Sequence, residues 1–358
     1  MIIPFVVLLY FLMVQAVAVR VKDISSELMY FSLFVCFIML NLLRWHGQAV
    51  FPDVLEYQYI FERIPPFIFE GKNGNGLDDS FPNIEIGYRY FIAIFKLFSS
   101  SFSDFLFFIS LTQISAFYYF CRRFKLSTVG AFPIYIALTY LTFHIGMLRQ
   151  ALAFCIFLIA LIHIKNKLIY LVLICLGISF HTSMIFCLTL IWVDKFISRR
   201  KLFLLFLVAL VLYIGKIDVV SYIISWSGYE EEFNAGRGGY YLTGIDRQNN
   251  YLGIGFWDRT ILFVFMLLIY RELLFHKKIN KYNNVIFNLG ISVILMQIIF
   301  FSSPTITSRL RYYAIIFPVI FISEYIYVHV KSNMTWVYQV FFSVYLFMHL
   351  YIQAGYLV

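Results

Sequence analysis

The sequence predicts an all-α, polytopic integral membrane protein of about twelve spans, and three observations carry that prediction. Apolar runs of spanning length recur from one end of the 358 residues to the other. The chain is 62% hydrophobic and only 13% charged, with a mean hydropathy of +0.83, whereas a soluble domain is roughly half apolar and a quarter charged. Aromatic residues make up 21% and are mostly Phe and Tyr, which suits lipid-facing surfaces and interfacial belts. In a soluble protein the net charge of +9 would suggest nucleic acid. In a membrane protein it belongs to the lysines and arginines that set topology, so no nucleic-acid partner is expected.

Taken in order, the spans are predicted near 3–19, 28–43, 103–120, 129–143, 147–163, 167–181, 183–197, 202–216, 257–275, 284–301, 309–328 and 334–351, all within one integral membrane domain covering 1–358. The first run, "MIIPFVVLLYFLMVQAVAV", has no basic leader and no small-residue cleavage site, so it reads as a span and not a secretory signal. The pair flanking His181 is short for a full crossing. "IEIGYRYFIAIFKLF" (84–98) is too short and too charged for a span and reads as an interfacial or re-entrant helix.

With that assignment the short basic connections share one side: Arg20/Lys22, Arg122/Arg123/Lys125, Lys165/Lys167, Lys195/Arg199/Arg200/Lys201, Lys277/Lys278/Lys281 and Lys331. By the positive-inside bias that side is cytoplasmic. A full crossing at 84–98 would turn all the later clusters outward. The opposite side receives two long polar loops near 44–102 and 217–256, and long loops between compact spans are usually functional or disordered. The working end is therefore expected to face outward.

The five cysteines (Cys36, Cys121, Cys155, Cys175, Cys187) lie in or beside apolar runs and read as free thiols packing as small hydrophobes, with no disulfide expected. No HExxH pair or Walker loop occurs, and "GKNGNG" (71–76) lacks the strand-to-helix setting of a phosphate cradle. No metal or cofactor is expected.

Ionisable groups inside the spans are rare, but several polar residues fall at one depth, the outer interface: Arg44, His144, Arg149, His181, Arg309 and Arg311. A transport pathway would string such groups through the membrane's middle. Cations at one depth suit an enzyme gripping a lipid headgroup, because the planar guanidinium pairs two phosphate oxygens and keeps its charge. Each has a plainer reading: a helix-end arginine can simply snorkel, His181 can be a packing histidine, and the loop carboxylates Asp53 and Glu85 can be solvating charges. Arg309 and Arg311, two residues apart, point to different sides of a helix, so one of them faces the site.

Four stretches then resemble the EpsG-like polysaccharide polymerases. "RWHGQAVFPDVLEYQYIF" (44–61) resembles their Arg-Gly-Asp-Tyr-Phe stretch after an early span, and "IEIGYRYF" (84–91) their Glu-x-Gly-Tyr. "GMLRQALAFCIFLIAL" (146–161) followed by "ISFHTSMIFCLTLIW" (178–192) resembles their Arg-Gln-x-x-Ala helix and Phe-His-x-Ser, and "SRLRYYAIIFPVIF" (308–321) their C-terminal Arg-Leu-x-x-Tyr. One departure is the insertion "QAVFP" between Gly47 and Asp53, where the family has one residue, so Asp53 is aligned by Tyr57 and Phe61.

The resemblance implies a Wzy-type O-antigen or capsule polymerase of a bacterial inner membrane, on a GT-C-like glycosyltransferase scaffold and working without a metal. It would transfer a glycan from undecaprenyl diphosphate to the non-reducing end of another lipid-linked repeat unit, at a periplasm-facing site, with a flippase and a Wzz-type chain-length regulator as partners. Under that reading Arg149, Arg44, Arg309 and Arg311 bind diphosphate. His181 is the first choice of base and Glu85 the second, with Asp53 a further catalytic candidate, while His144, Gln150 and Tyr88 contact substrate. Tyr57, Tyr59, Tyr88, Tyr240 and Tyr241 are expected to stack on sugars. The rival readings are a flippase for the same lipid, which should show internal repeats and a basic central cavity, and an O-antigen ligase-like transferase, which would share the arginines. A non-enzymatic scaffold is the third.

Overall fold

The computed structural model describes residues 52–66, 84–124, 146–192, 198–219 and 283–301 together with isolated positions. Among the described residues every element is helical and none is a strand. The spans expected at 3–19, 28–43 and 334–351, and nearly all of those at 129–143, 257–275 and 309–328, lie outside the described residues, as do Arg44, His144 and Arg311. The chain divides into two compact units, residues 1–188 with 318–358, and residues 189–317.

The first two described helices of this unit fall in the 44–102 stretch, one where the sequence suggests a loop and the other within the expected interfacial helix at 84–98. Helix α1 (Pro52–Arg63) starts on proline, whose fixed φ and missing N–H suit a first helical position. Its buried residues Val54, Tyr57, Ile60 and Phe61, with Ile64 just beyond its end, recur at helical spacing, so one stripe faces inward. Helix α2 (Ile86–Phe95) has ten residues, about 15 Å of rise, half of a bilayer's hydrocarbon thickness. Lys96 after α2 donates to the carbonyls of Ile64 (2.6 Å) and Glu62 (3.3 Å) and lies 4.6 Å from the Phe61 ring centroid. A cation there answers the orphan carbonyls at the end of α1. Burial pulls the Lys96 ammonium below its usual pKa, with Glu62 opposing.

Helix α3 (Phe102–Phe124) is the one described helix long and apolar enough to cross a membrane; its 23 residues give about 35 Å. An aromatic cluster seals α1 and α2 onto its first half. The Phe61 and Phe95 rings stand 5.0 and 5.1 Å from Phe105, and Phe91 stands 5.9 Å from Phe108.

Helix α4 (Leu148–Ile162) is buried on nearly all sides, as expected of a helix enclosed by others. It packs against α3 and against α5 (Lys167–Ile178). The ring of Tyr135 stacks on Phe117 of α3 at 3.9 Å and faces Phe154 of α4 at 6.3 Å. Asn166 caps α5, its side-chain oxygen accepting from the Ile169 N–H at 3.3 Å.

The expected α-helical span 183–197 is instead a 3₁₀ helix over Thr182–Trp192, and α5 itself has 12 residues, about 18 Å. The sequence signal for a short, broken pair is thus met by a half-length α-helix, a turn at 179–181 and a 3₁₀ segment. Tight packing accompanies the break: a Cβ on Gly177 would fall on the Met184 side chain, and the Tyr170 hydroxyl donates to the Cys187 carbonyl at 2.7 Å.

In the second unit, α6 (Arg199–Ile214) and α7 (Asn283–Ile299) pack together. Phe206 stacks on Phe263 at 4.2 Å, and Tyr213 meets Phe301 edge-on at 5.0 Å.

Candidate active site

Three stretches far apart in sequence meet at one end of the first unit: the start of α2, the start of α4 and the turn after α5. Glycine makes the first meeting possible. The Gly87 N–H donates to the Ser179 carbonyl at 2.7 Å, and a Cβ on Gly87 would stand 2.7 Å from that same oxygen. Phe180 then sets its ring 5.8 Å from Phe91 of α2, pinning the turn that carries His181.

Glu85 is the N-cap residue of α2 but makes no side-chain cap there. Its Oε2 accepts from a terminal nitrogen of Arg149 at 2.5 Å, and its Oε1 lies 3.4 Å from the Thr182 N–H at the head of the 3₁₀ helix. The two side chains are 14% and 16% exposed. A cation in the first turn of a helix opposes the macrodipole, and burial adds a desolvation cost; the carboxylate offsets both. The Arg149 guanidinium also lies 6.0 Å from the Tyr57 ring centroid.

His181 is buried at 6% exposure. Its Nδ1 accepts from the Ser183 N–H at 3.2 Å and lies 2.7 Å from the Ser183 hydroxyl. A backbone N–H can only donate, so Nδ1 carries the lone pair and the ring proton sits on Nε2.

Other sequence candidates fall elsewhere. Tyr88 is fully buried and packs edge-on against Tyr57 (5.9 Å) and Phe105 (6.3 Å). With Tyr57 also buried, neither ring offers a face to a sugar, which corrects that expectation; their helix phase points them into the aromatic cluster. Tyr59 is exposed, and Arg63 lies over its ring, while Tyr240 and Tyr241 lie outside the described residues. Gln150, one residue from Arg149, is 1% exposed and sits within the packed bundle, not at an open contact surface. Asp53 belongs to the first turn of α1. Arg309 is half-buried in the second unit.

One residue that the sequence reading passes over follows Glu85 closely. Arg89 lies one turn after Glu85 on α2, its N–H bonded to the Glu85 carbonyl at 3.3 Å. Its Nε is buried with no hydrogen-bond partner. The four-residue spacing in "EIGYR" is the signal that places both charges on one face.

The EpsG family model matches residues 27–357. This chain belongs to the EpsG family. Membership makes it a polysaccharide polymerase-like membrane protein, and the match takes in the Glu85, Arg149 and His181 motifs on which the resemblance rests. No curated protein and no solved structure matches the chain, so the site of this EpsG-family member is read from its own geometry.

Proposed function

We propose that this EpsG-family chain polymerises lipid-diphosphate-linked oligosaccharide repeat units, O-antigen or capsule, at the periplasmic face of a bacterial inner membrane. The observation that carries the reading is the Arg149–Glu85 pair beside the His181 turn. It joins an anion-binding group, a proton acceptor and a hydrogen-bond donor at one end of a bundle of apolar helices.

In this reaction an acceptor hydroxyl attacks the anomeric carbon of the donor glycan. The bond from that carbon to the diphosphate oxygen breaks, undecaprenyl diphosphate leaves with the electron pair, and the hydroxyl proton passes to a base. Arg149 can meet the charge that builds on the leaving diphosphate with two parallel N–H donors. Doing so draws it from Glu85, whose carboxylate is then available to take the acceptor's proton. With Nδ1 held by the Ser183 N–H, His181 presents Nε2–H and acts as a donor to diphosphate or sugar oxygen. This ordering puts Glu85 ahead of His181 as the base.

The test is purified protein in lipid nanodiscs given undecaprenyl-diphosphate-linked repeat units. A ladder of multiples is the expected result. Translocation without chain growth would replace the reading with a flippase, and transfer only to an added lipid A core would replace it with a ligase.

A further inference from the structure

Two arginines are tied to Glu85, Arg149 by its ion pair and Arg89 by its place one turn along α2. Arg149 is paired with Glu85, and Lys96 donates to two carbonyls closing α1. Arg89, between Glu85 and Lys96 along the chain, has a buried Nε with no acceptor among the described residues.

The position of Arg89 says what could answer it. Residues four apart on a helix share a face, so Arg89 stands over Glu85. Side chains of a helix lean toward its N-terminus, which directs the Arg89 side chain back to the end where Glu85, Arg149 and Thr182 meet. Arg89 is half-buried, and it is its Nε that is withdrawn from water; a buried donor lacking an acceptor is costly. Among the described residues Glu85 is engaged with Arg149 and the Thr182 N–H, so a ligand oxygen can supply the acceptor that the Arg89 Nε lacks.

We propose that Arg89 is the second guanidinium of the anion site and contacts the phosphate that Arg149 does not. Arg149 and Arg89 together then read a diphosphate, and a monophosphate engages one of them. The substrate class is a polyprenyl diphosphate, with Arg89 the residue that sets preference for diphosphate over the monophosphate of the same lipid. This rests on the polymerase reading, which supplies a lipid diphosphate as donor and leaving group.

The experiment measures binding of undecaprenyl diphosphate and undecaprenyl monophosphate to full-length protein in nanodiscs of neutral lipid, for wild type, Arg89→Gln and Arg89→Lys, with thermal melting as the fold control. Wild type should prefer the diphosphate. Arg89→Gln should erase most of that preference, on the order of ten- to a hundredfold, the worth of one hydrogen bond to a charged group, while monophosphate affinity changes little. Arg89→Lys, which keeps stem and charge, should fall between and guards against a glutamine variant that melts early. A preference retained in both variants, or equal weakening for both lipids, would overturn the assignment of Arg89 and leave the polymerase reading standing. A wild type with no preference for the diphosphate would overturn both.

Discussion

Gly87 and Ser179 touch backbone to backbone, the Gly87 N–H donating to the Ser179 carbonyl at 2.7 Å, at the point that holds α2 against the His181 turn. Any side chain at 87 must push that turn away, because the obstruction is backbone as well as the Ser179 hydroxyl. Gly87→Ala is therefore expected to separate Glu85 from Thr182 and to misplace His181. Overpacking of this kind costs about 1–3 kcal/mol. A thermal melt should show the loss, and chain growth should drop even where protein level is held. Wild-type melting and polymer from Gly87→Ala would mean that the contact is loose.

Arg149→Lys separates the two explanations for an arginine at a helix end. Snorkelling needs only a long cation, and lysine would serve. Binding a diphosphate uses the fork, which an ammonium lacks. The expected outcome is normal insertion with accumulation of single-repeat product and a rate lower by roughly a hundredfold, the scale of one preorganised charged hydrogen bond. A glycan ladder on a gel, read beside membrane protein level, decides the matter.

Glu85→Gln keeps shape and removes the proton acceptor. Chain growth should fall about 10²–10⁴-fold, the usual span for general-base assistance, with undecaprenyl diphosphate still bound. His181→Gln, which keeps a donor near the position of Nε2, should be the milder variant. The opposite ranking would return the base to His181 and leave Glu85 as the structural partner of Arg149.

The sequence offers no metal-ligand spacing, and the proposed chemistry uses side chains alone. Chelator-treated protein should elongate repeat units at an undiminished rate in a nanodisc assay. Loss of activity that Mg²⁺ or Mn²⁺ restores would bring Asp53, Asp78 and Asp79 forward as ligands.

Sidedness can be read with single cysteines and an impermeant thiol reagent. Cysteines replacing Asn75 and Asn234 should label from outside intact spheroplasts, and one replacing Ser198 should not. Outside labelling at 198 would invert the layout and move the Arg149–Glu85 pair to the cytoplasmic face.

The motifs carrying Glu85, Arg149 and His181 were legible in the sequence one by one, but their mutual arrangement was not. Glu85 reads as a base and Arg149 as a diphosphate ligand, and nothing in a linear pattern says that the two bond to each other across 64 residues. Helix α1 was legible and overlooked: the acidic residues of 44–102 suggest a solvated loop, while Val54, Tyr57, Phe61 and Ile64 spell an inward stripe. Tyr88 fails as a sugar platform for the same reason, because tyrosines in a polar stretch look exposed until helix phase is considered. Arg89 hides because its meaning lies in an absent acceptor, which only three dimensions reveal. The 3₁₀ form of Thr182–Trp192 has no sequence mark beyond the shortness of the apolar run.

The Arg149–Glu85 pair also bears on how the chain is made. Synthesis runs from the N-terminus, so Glu85 has left the ribosome before the helix that brings Arg149 into the lipid. An arginine carried into the bilayer costs up to roughly 3 kcal/mol at its centre and less toward the interface; one that finds its counter-charge already waiting enters as part of a neutral couple. Removing Glu85 would therefore burden biogenesis as well as chemistry. Fewer molecules of such a variant should reach the membrane, and restoring neutrality by changing Arg149 in the same chain should recover yield but not polymer.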